Sequence, residues 1–211
     1  MTRAFVFPGQ GSQTIGMGKD LAETFVEARE VFEQVNDALG QKLTSVMWDG
    51  AEADLNLTEN TQPALMAVSM AVVRILKKQG GIALEENAKF VAGHSLGEYS
   101  ALTAVKAFEI SDTARLLRLR GKAMQRAVPV GQGAMAAILG LDFDAVSALA
   151  KENAATNVNG DSVCESANDN APGQVVISGH TKAVESFVTL AQGAGAKRAI
   201  MLPVSAPSIA A

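Results

Sequence analysis

One stretch of this chain decides the fold, and it reads Phe90-Val91-Ala92-Gly93-His94-Ser95-Leu96-Gly97-Glu98. The apolar residues at its start predict a short strand, and a helix is predicted to begin near Leu96. Between them lies the pattern G-x-S-x-G, which is typical of a serine on a sharp strand-to-helix turn. The N–H groups at the start of such a helix would stabilise an oxyanion formed at Ser95. The alternative is a glycine-bounded turn whose serine has no chemical role.

The composition of the chain is that of a globular protein with a substantial core. Of its 211 residues 48% are apolar, and the formal net charge of −4 argues against nucleic-acid binding. No stretch is long and apolar enough to span a bilayer, and the first residues lack a signal-peptide pattern. A single cysteine, Cys164, allows no internal disulfide, and two histidines, His94 and His180, are too few for a His-rich metal site. We therefore expect a cytoplasmic protein without nucleic-acid or membrane partners.

Upstream of the elbow (residues 93–97), the chain predicts a strand, a glycine-rich loop and two helices. The apolar residues 4–7 predict a strand that ends in Pro8-Gly9-Gln10-Gly11-Ser12-Gln13. This loop either brings backbone N–H groups close to a ligand or simply connects a strand to a helix. Apolar residues at helical spacing predict one helix over 20–39 and a well-buried one over 64–79, after Pro63.

Downstream of the elbow, a helix predicted over 111–128 carries a charge on its apolar stripe. Arg120 lies four residues after Leu116 and three after Leu117, so all three share one helix face. A guanidinium on an inward face needs an anion, because an unpaired buried charge is unfavourable. That anion is either a protein carboxylate or a ligand carboxylate held bidentately, and the residues leave both open.

The pattern changes after about residue 130, which predicts a separate subdomain. We predict strands at 134–139, 174–178 and 197–202, helices at 143–153 and 181–192, and a poorly defined strand or loop at 156–163. With that segment counted as a strand, the order is βαββαβ, which is the ferredoxin-like arrangement.

Six segments, in order along the chain, resemble the malonyl-CoA:acyl-carrier-protein transacylases of fatty-acid synthesis. They are Phe5-Val6-Phe7-Pro8-Gly9-Gln10-Gly11-Ser12-Gln13, Thr61-Gln62-Pro63-Ala64-Leu65, Gly93-His94-Ser95-Leu96-Gly97-Glu98-Tyr99-Ser100-Ala101, Arg120-Gly121-Lys122-Ala123-Met124-Gln125, Gly133-Ala134-Met135-Ala136-Ala137 and Pro172-Gly173-Gln174-Val175-Val176. The resemblance implies an α/β fold, with a hydrolase-like core whose parallel sheet is incomplete here and an inserted ferredoxin-like subdomain. The implied domains are residues 1–129 (core), 130–203 (ferredoxin-like subdomain) and 204–211 (truncated return to the core).

The resemblance also implies acyl transfer through an acyl-serine intermediate. Ser95 is implied to attack malonyl-CoA and to pass the malonyl group to the phosphopantetheine thiol of acyl carrier protein, with no separate cofactor and no metal. The backbone N–H groups of Gln10 and Leu96 are the implied oxyanion hole, and Arg120 is implied to bind the malonyl carboxylate. Four residues match positions near the pantetheine and the phosphates in relatives: Asn168, Asn170, Lys197 and Arg198.

The last residues of the sequence depart from the family pattern. Family members continue from a Val-Ser-x-Pro segment into a histidine, the base for the serine, whereas Ile209 stands at that position here. Roughly the last third of a typical member, with further core strands, is expected to be missing. His94 is expected to pack behind the elbow and His180 to begin a subdomain helix, so neither is expected to replace the base. The chain as written is therefore expected to be impaired in transfer.

Two other functions stay open on these residues. A serine esterase, or a patatin-like hydrolase with a serine–aspartate pair, would use the same elbow, although Arg120 and the loop around Gln10 argue against it. A non-catalytic fragment would keep carrier-protein or coenzyme A binding without turnover.

Overall fold

The computed structural model describes residues 3–129, 131–156 and 163–202. The chain divides into two compact units, Met1–Ala123 and Met124–Ala211. Together they hold a parallel and an antiparallel sheet, so the predicted α/β fold is confirmed. The expected return to the core at 204–211, with Ile209, lies outside the described residues. In the described part of the chain, no helix has the length and apolarity needed to cross a membrane.

The first unit builds a two-stranded parallel sheet and surrounds it with helices. Its elements are β1 (Ala4–Phe7), α1 (Lys19–Thr24), α2 (Val26–Leu39), α3 (Leu43–Asp49), α4 (Glu52–Leu55), α5 (Thr58–Lys78), α6 (Leu84–Asn87), β2 (Phe90–Gly93), α7 (Leu96–Ala104) and most of α8 (Ile110–Ala127). In the β1–β2 register Ala4 pairs with Phe90 and Phe7 with Gly93. Both strands therefore end at the same edge, where the glycine-rich loop and the elbow leave the sheet.

Two predicted helix boundaries are wrong, and tertiary packing explains both. The helix predicted over 20–39 is divided at Phe25, whose extended backbone (φ −117°, ψ 121°) lets its side chain pack against the core. Helix α5 begins at Thr58 rather than after Pro63, because its polar first turns are buried with hydrogen-bond partners. The amide of Asn60, for example, donates to the carbonyl of Asp54 at 2.8 Å. Propensity alone does not anticipate such partners.

The second unit is a four-stranded antiparallel sheet with two helices. Its elements are β3 (Gly133–Leu139), α9 (Phe143–Thr156), β4 (Cys164–Ala171), β5 (Gln174–His180), α10 (Thr181–Gly193) and β6 (Arg198–Met201). The strand order β4-β5-β3-β6 confirms the ferredoxin-like βαββαβ subdomain. Most of the uncertain segment 156–163 lies outside the described residues, and the second strand of the unit comes later, as β4.

Cys164 lies in the core of this unit, on β4, with 3% of its surface exposed. Burial raises the pKa of its thiol to about 11, and the charge of Glu165 acts in the same direction. Since the thiolate is the reactive form, we expect iodoacetamide at pH 8 to modify the folded chain about a hundredfold more slowly than the urea-unfolded chain. Intact mass against time measures both rates. Fast alkylation of the folded chain would show that the thiol is accessible and ionised.

Candidate active site

Ser95 lies on a strained turn between β2 and α7. Its backbone has φ 55° and ψ −114°, an unfavourable conformation for a residue with a Cβ atom. The turn is held by backbone hydrogen bonds from His94 N to Phe7 O (3.2 Å) and from Gly97 N to His94 O (2.9 Å). The Ser95 side chain is exposed at the first turn of α7. This is the strand–turn–helix context that the G-x-S-x-G pattern requires.

Two glycines allow the elbow to pack backbone against backbone. A Cβ atom on Gly93 would lie 1.9 Å from the carbonyl carbon of Gly97. A Cβ atom on Gly97 would lie 2.4 Å from the carbonyl oxygen of Phe7, at the end of β1. Both glycines of the motif are therefore required by space rather than by φ.

The glycine-rich loop lies directly beside the elbow, as the parallel register requires. A Cβ atom on Gly9 would lie 2.6 Å from Nδ1 of His94. The side chain of Gln10 is half-buried, and its Nε2 donates to Oγ1 of Thr58 at 3.4 Å. Leu96 is the first residue of α7, so its N–H group has no acceptor within the helix. The two predicted oxyanion-hole residues thus belong to segments that leave β1 and β2 side by side.

Arg120 reaches Ser95 from helix α8. Its Nη2 donates to Oγ of Ser95 at 3.2 Å, and its Nη1 donates to Oε1 of Gln62 at 2.8 Å. The ring of Tyr99 lies 5.9 Å from the guanidinium carbon. Within the described ranges, no carboxylate forms an ion pair with Arg120. Of the two partners that the sequence left open, a protein carboxylate is therefore not found in this part of the chain.

Two polar contacts of this site were not predicted. The sequence alone indicates no role for Gln62, which accepts a hydrogen bond from Arg120, or for Thr58, which accepts one from Gln10. One sequence feature could have indicated a role for Gln62. It is a polar residue of the segment 61–65, directly before a proline in a mostly apolar helix. Periodicity cannot show that it meets a residue 58 positions later.

The four remaining predicted site residues lie in the second unit. Asn168 and Asn170 are on β4, whereas Lys197 precedes β6 and Arg198 begins it. Strands β4 and β6 are the two edges of the sheet. Because β5 and β3 lie between them, the asparagines and the two cations are about 14 Å apart across the sheet. All four lie toward the same end of the sheet, because the row that pairs Gln174 with Ala171 continues through Leu139 to Arg198. Their roles toward a ligand stay predictions.

His180 lies at the start of a subdomain helix as expected, whereas His94 is exposed rather than packed behind the elbow. His94 follows β2, and its ring lies close to the backbone of Gly9. His180 directly precedes α10, and its Nδ1 accepts a hydrogen bond from Val163 N at 2.9 Å. Among the described residues, no cluster of histidine, cysteine and acidic side chains could hold a metal ion.

Comparison with known proteins shows similarity along nearly the whole chain. The family model described as acyl transferase domain matches residues 4–209. The chain is 50% identical over 205 residues to the malonyl CoA-acyl carrier protein transacylase of Escherichia coli K12. The aligned region covers 97% of this chain and 63% of that protein. The chain thus spans less than two thirds of the length of this curated relative.

Two solved structures are similar in fold and in sequence. An acyl-carrier-protein-S-malonyltransferase from Bartonella henselae is 57% identical, with a TM-score of 0.89 over 98% of this chain and 64% of that one. A structure of a type II polyketide synthase acyl-carrier protein in complex with its malonyl-transacylase is 45% identical, with a TM-score of 0.89 over 99% and 64%. With the family model matching almost every residue, the chain belongs to the acyl transferase domain family.

Proposed function

We propose that this chain forms the malonyl-binding and acyl-serine-forming part of a malonyl-CoA:acyl-carrier-protein transacylase. The observation that carries the proposal is the 3.2 Å hydrogen bond from the guanidinium of Arg120 to Oγ of Ser95. A cation at that distance from the nucleophile would hold an acyl group whose own carboxylate lies close to the attacked carbonyl. Malonyl has this geometry, because one methylene separates its carboxylate from its thioester carbonyl.

The residues of this chain have distinct parts in the proposed reaction. Oγ of Ser95 attacks the thioester carbonyl, and the resulting oxyanion accepts hydrogen bonds from the N–H groups of Gln10 and Leu96. The carbon–sulfur bond breaks, coenzyme A leaves as the thiolate, and malonyl stays on Ser95. The serine proton passes to solvent water, because Ile209 stands where the family pattern has the histidine base. We therefore assign binding and oxyanion stabilisation to the described residues and expect slow acylation.

The acceptor in the proposed reaction is the phosphopantetheine thiol of acyl carrier protein. The names of the similar proteins support it, since the relatives are transacylases or malonyltransferases of that carrier. No cofactor is needed, because the thioester is already activated. Asn168, Asn170, Lys197 and Arg198 are assigned to the pantetheine and phosphates by resemblance. A cytoplasmic location fits the free thiol of Cys164.

An esterase is the weaker candidate, because a simple ester offers no group for Arg120. A guanidinium without an anion beside the nucleophile would disfavour an uncharged acyl group. No contact among the described residues specifically favours hydrolysis.

Acylation of the purified chain tests the proposal. We expect incubation with excess malonyl-CoA to add one malonyl group, slowly, and peptide mapping to place it on Ser95. Oxyanion stabilisation and binding still give about 10³–10⁴-fold acceleration when the base is absent, so prolonged incubation makes the adduct visible. The Ser95→Ala variant should stay unmodified. Labelling at another residue, equal labelling by acetyl-CoA, or no adduct on Ser95 would contradict the proposal.

A further inference from the structure

A buried amide holds the guanidinium of Arg120 beside Ser95. Gln62 has only 1% of its surface exposed and lies on α5, directly before Pro63. Its Oε1 accepts from Nη1 of Arg120 at 2.8 Å, while Nη2 of the same guanidinium faces Oγ of Ser95 at 3.2 Å. One end of the guanidinium is therefore fixed by the amide, and the other end lies at the nucleophile.

The packing of α5 against α8 sets this contact. A Cβ atom on Gly121, the residue after Arg120, would lie 2.5 Å from Cα of Glu59 and 2.8 Å from the carbonyl carbon of Thr58. The two helices thus meet backbone to backbone within one turn of Gln62. The short Gln62–Arg120 bond follows from fixed helix positions, and so it orients the guanidinium before a ligand arrives.

The neutrality of Gln62 matters as much as its hydrogen bond. A neutral amide satisfies one N–H of Arg120 and leaves the positive charge for a ligand. A carboxylate at the same place would form a short ion pair with Arg120, and a ligand carboxylate would have to compete with it.

Helix α5 does carry a carboxylate one turn before Gln62, but it acts on a different arginine. Burial lowers the pKa of Arg118, and the charge of Glu59 opposes that shift. Arg118 and Arg120 lie two positions apart on α8 and so project in different directions. The acid of α5 therefore acts on Arg118, whereas the amide contacts Arg120.

We propose that Gln62 is a positioning residue that sets the selectivity of Ser95 for acyl groups with a free carboxylate, because it orients Arg120 without neutralising it. The inference rests on the malonyl-transfer function proposed above. Gln62 acts through the guanidinium, and exchanging its amide for a carboxylate changes charge with almost no change in shape.

The ratio of malonyl to acetyl labelling of Ser95 tests this inference. Acylation rates are measured by intact mass with malonyl-CoA and acetyl-CoA in parallel. We expect Gln62→Glu to lower the malonyl rate about tenfold to a hundredfold and the acetyl rate less than about twofold. Gln62→Met, which keeps the length but lacks the acceptor, should lower the malonyl rate about fivefold. Gln41→Glu, an equal change of charge at an exposed position, should change neither rate.

Two features of the design separate positioning from a loss of structure. Unfolded protein reacts with neither thioester, so partial unfolding lowers both rates together and leaves their ratio unchanged. In an Arg120→Ala background, Gln62→Glu should have no further effect on the ratio, because the residue through which it acts is absent.

The outcomes distinguish this inference from the proposed function. If the unaltered chain prefers malonyl but Gln62→Glu keeps the same ratio, or lowers both rates in parallel, the role of Gln62 is refuted and the function stands. If the unaltered chain labels Ser95 with neither thioester or with both equally, the function fails and this inference fails with it.

Discussion

Replacing Arg120 by alanine is expected to remove the preference for malonyl-CoA over acetyl-CoA. The guanidinium lies 3.2 Å from Oγ of Ser95 and forms no ion pair within the described ranges. Loss of a charge-assisted hydrogen bond to a substrate carboxylate should lower the malonyl acylation rate about a hundredfold. The acetyl rate should not fall, because acetyl has no carboxylate to lose a partner. Intact-mass kinetics with both thioesters measure the two rates.

An exposed arginine of the same helix provides the control for this change. Arg126 lies in the last turn of α8, and Arg126→Ala removes one exposed positive charge. Its labelling rates should match those of the unaltered chain. A malonyl preference that survives in Arg120→Ala would mean that another group binds the carboxylate.

Replacing Gly93 by alanine is expected to cause the largest loss of stability. The added Cβ atom would lie 1.9 Å from the carbonyl carbon and 2.0 Å from the carbonyl oxygen of Gly97, which are backbone atoms and cannot rotate away. The first turn of α7 would have to move off β2. We expect a loss of about 3 kcal/mol or more, which for a chain of this size lowers the thermal midpoint by about 6–12 °C. Circular dichroism against temperature measures it.

Gly193→Ala is the matched control for Gly93→Ala. Gly193 ends α10, and a Cβ atom there would meet no other atom within 4 Å. Gly193→Ala should leave the midpoint unchanged or raise it slightly, because alanine favours the helix. An unchanged midpoint for Gly93→Ala as well would mean that β2 and α7 are not packed as closely as the structure shows.

Local pattern predicted a large part of the fold. The elbow could be recognised because a strained serine between a strand and a helix needs small residues on both sides, and Gly93 and Gly97 meet that need. The ferredoxin-like unit could be recognised because β3, β5, β6 and α10 have separate apolar patterns, whereas the polar strand β4 was predicted too early, at 156–163. The break at Phe25 and the early start of α5 could not be predicted from local pattern, since both depend on packing partners far along the chain.

The candidate site was predictable only residue by residue. Arg120 was identified as a charge on a predicted apolar stripe. Leu116 of that stripe is exposed in the structure, and the sequence left the partner of Arg120 open. The structure brings it to Ser95 and Gln62, and it places the asparagines of β4 and the cations near β6 on opposite edges of their sheet. Strand order, which no local pattern encodes, decides that separation.

The sequence by itself determined the elbow, the strands and helices of the second unit apart from β4, and the place of Arg120 on the same face of α8 as the buried Leu117. These follow from side-chain size and from helix and strand periods, which are properties of neighbouring residues. Only the tertiary structure decided that Gln62 would hold Arg120 against Ser95. The backbone contact of Gly121 with Glu59 fixes that distance, and such a contact exists only once α5 and α8 have packed.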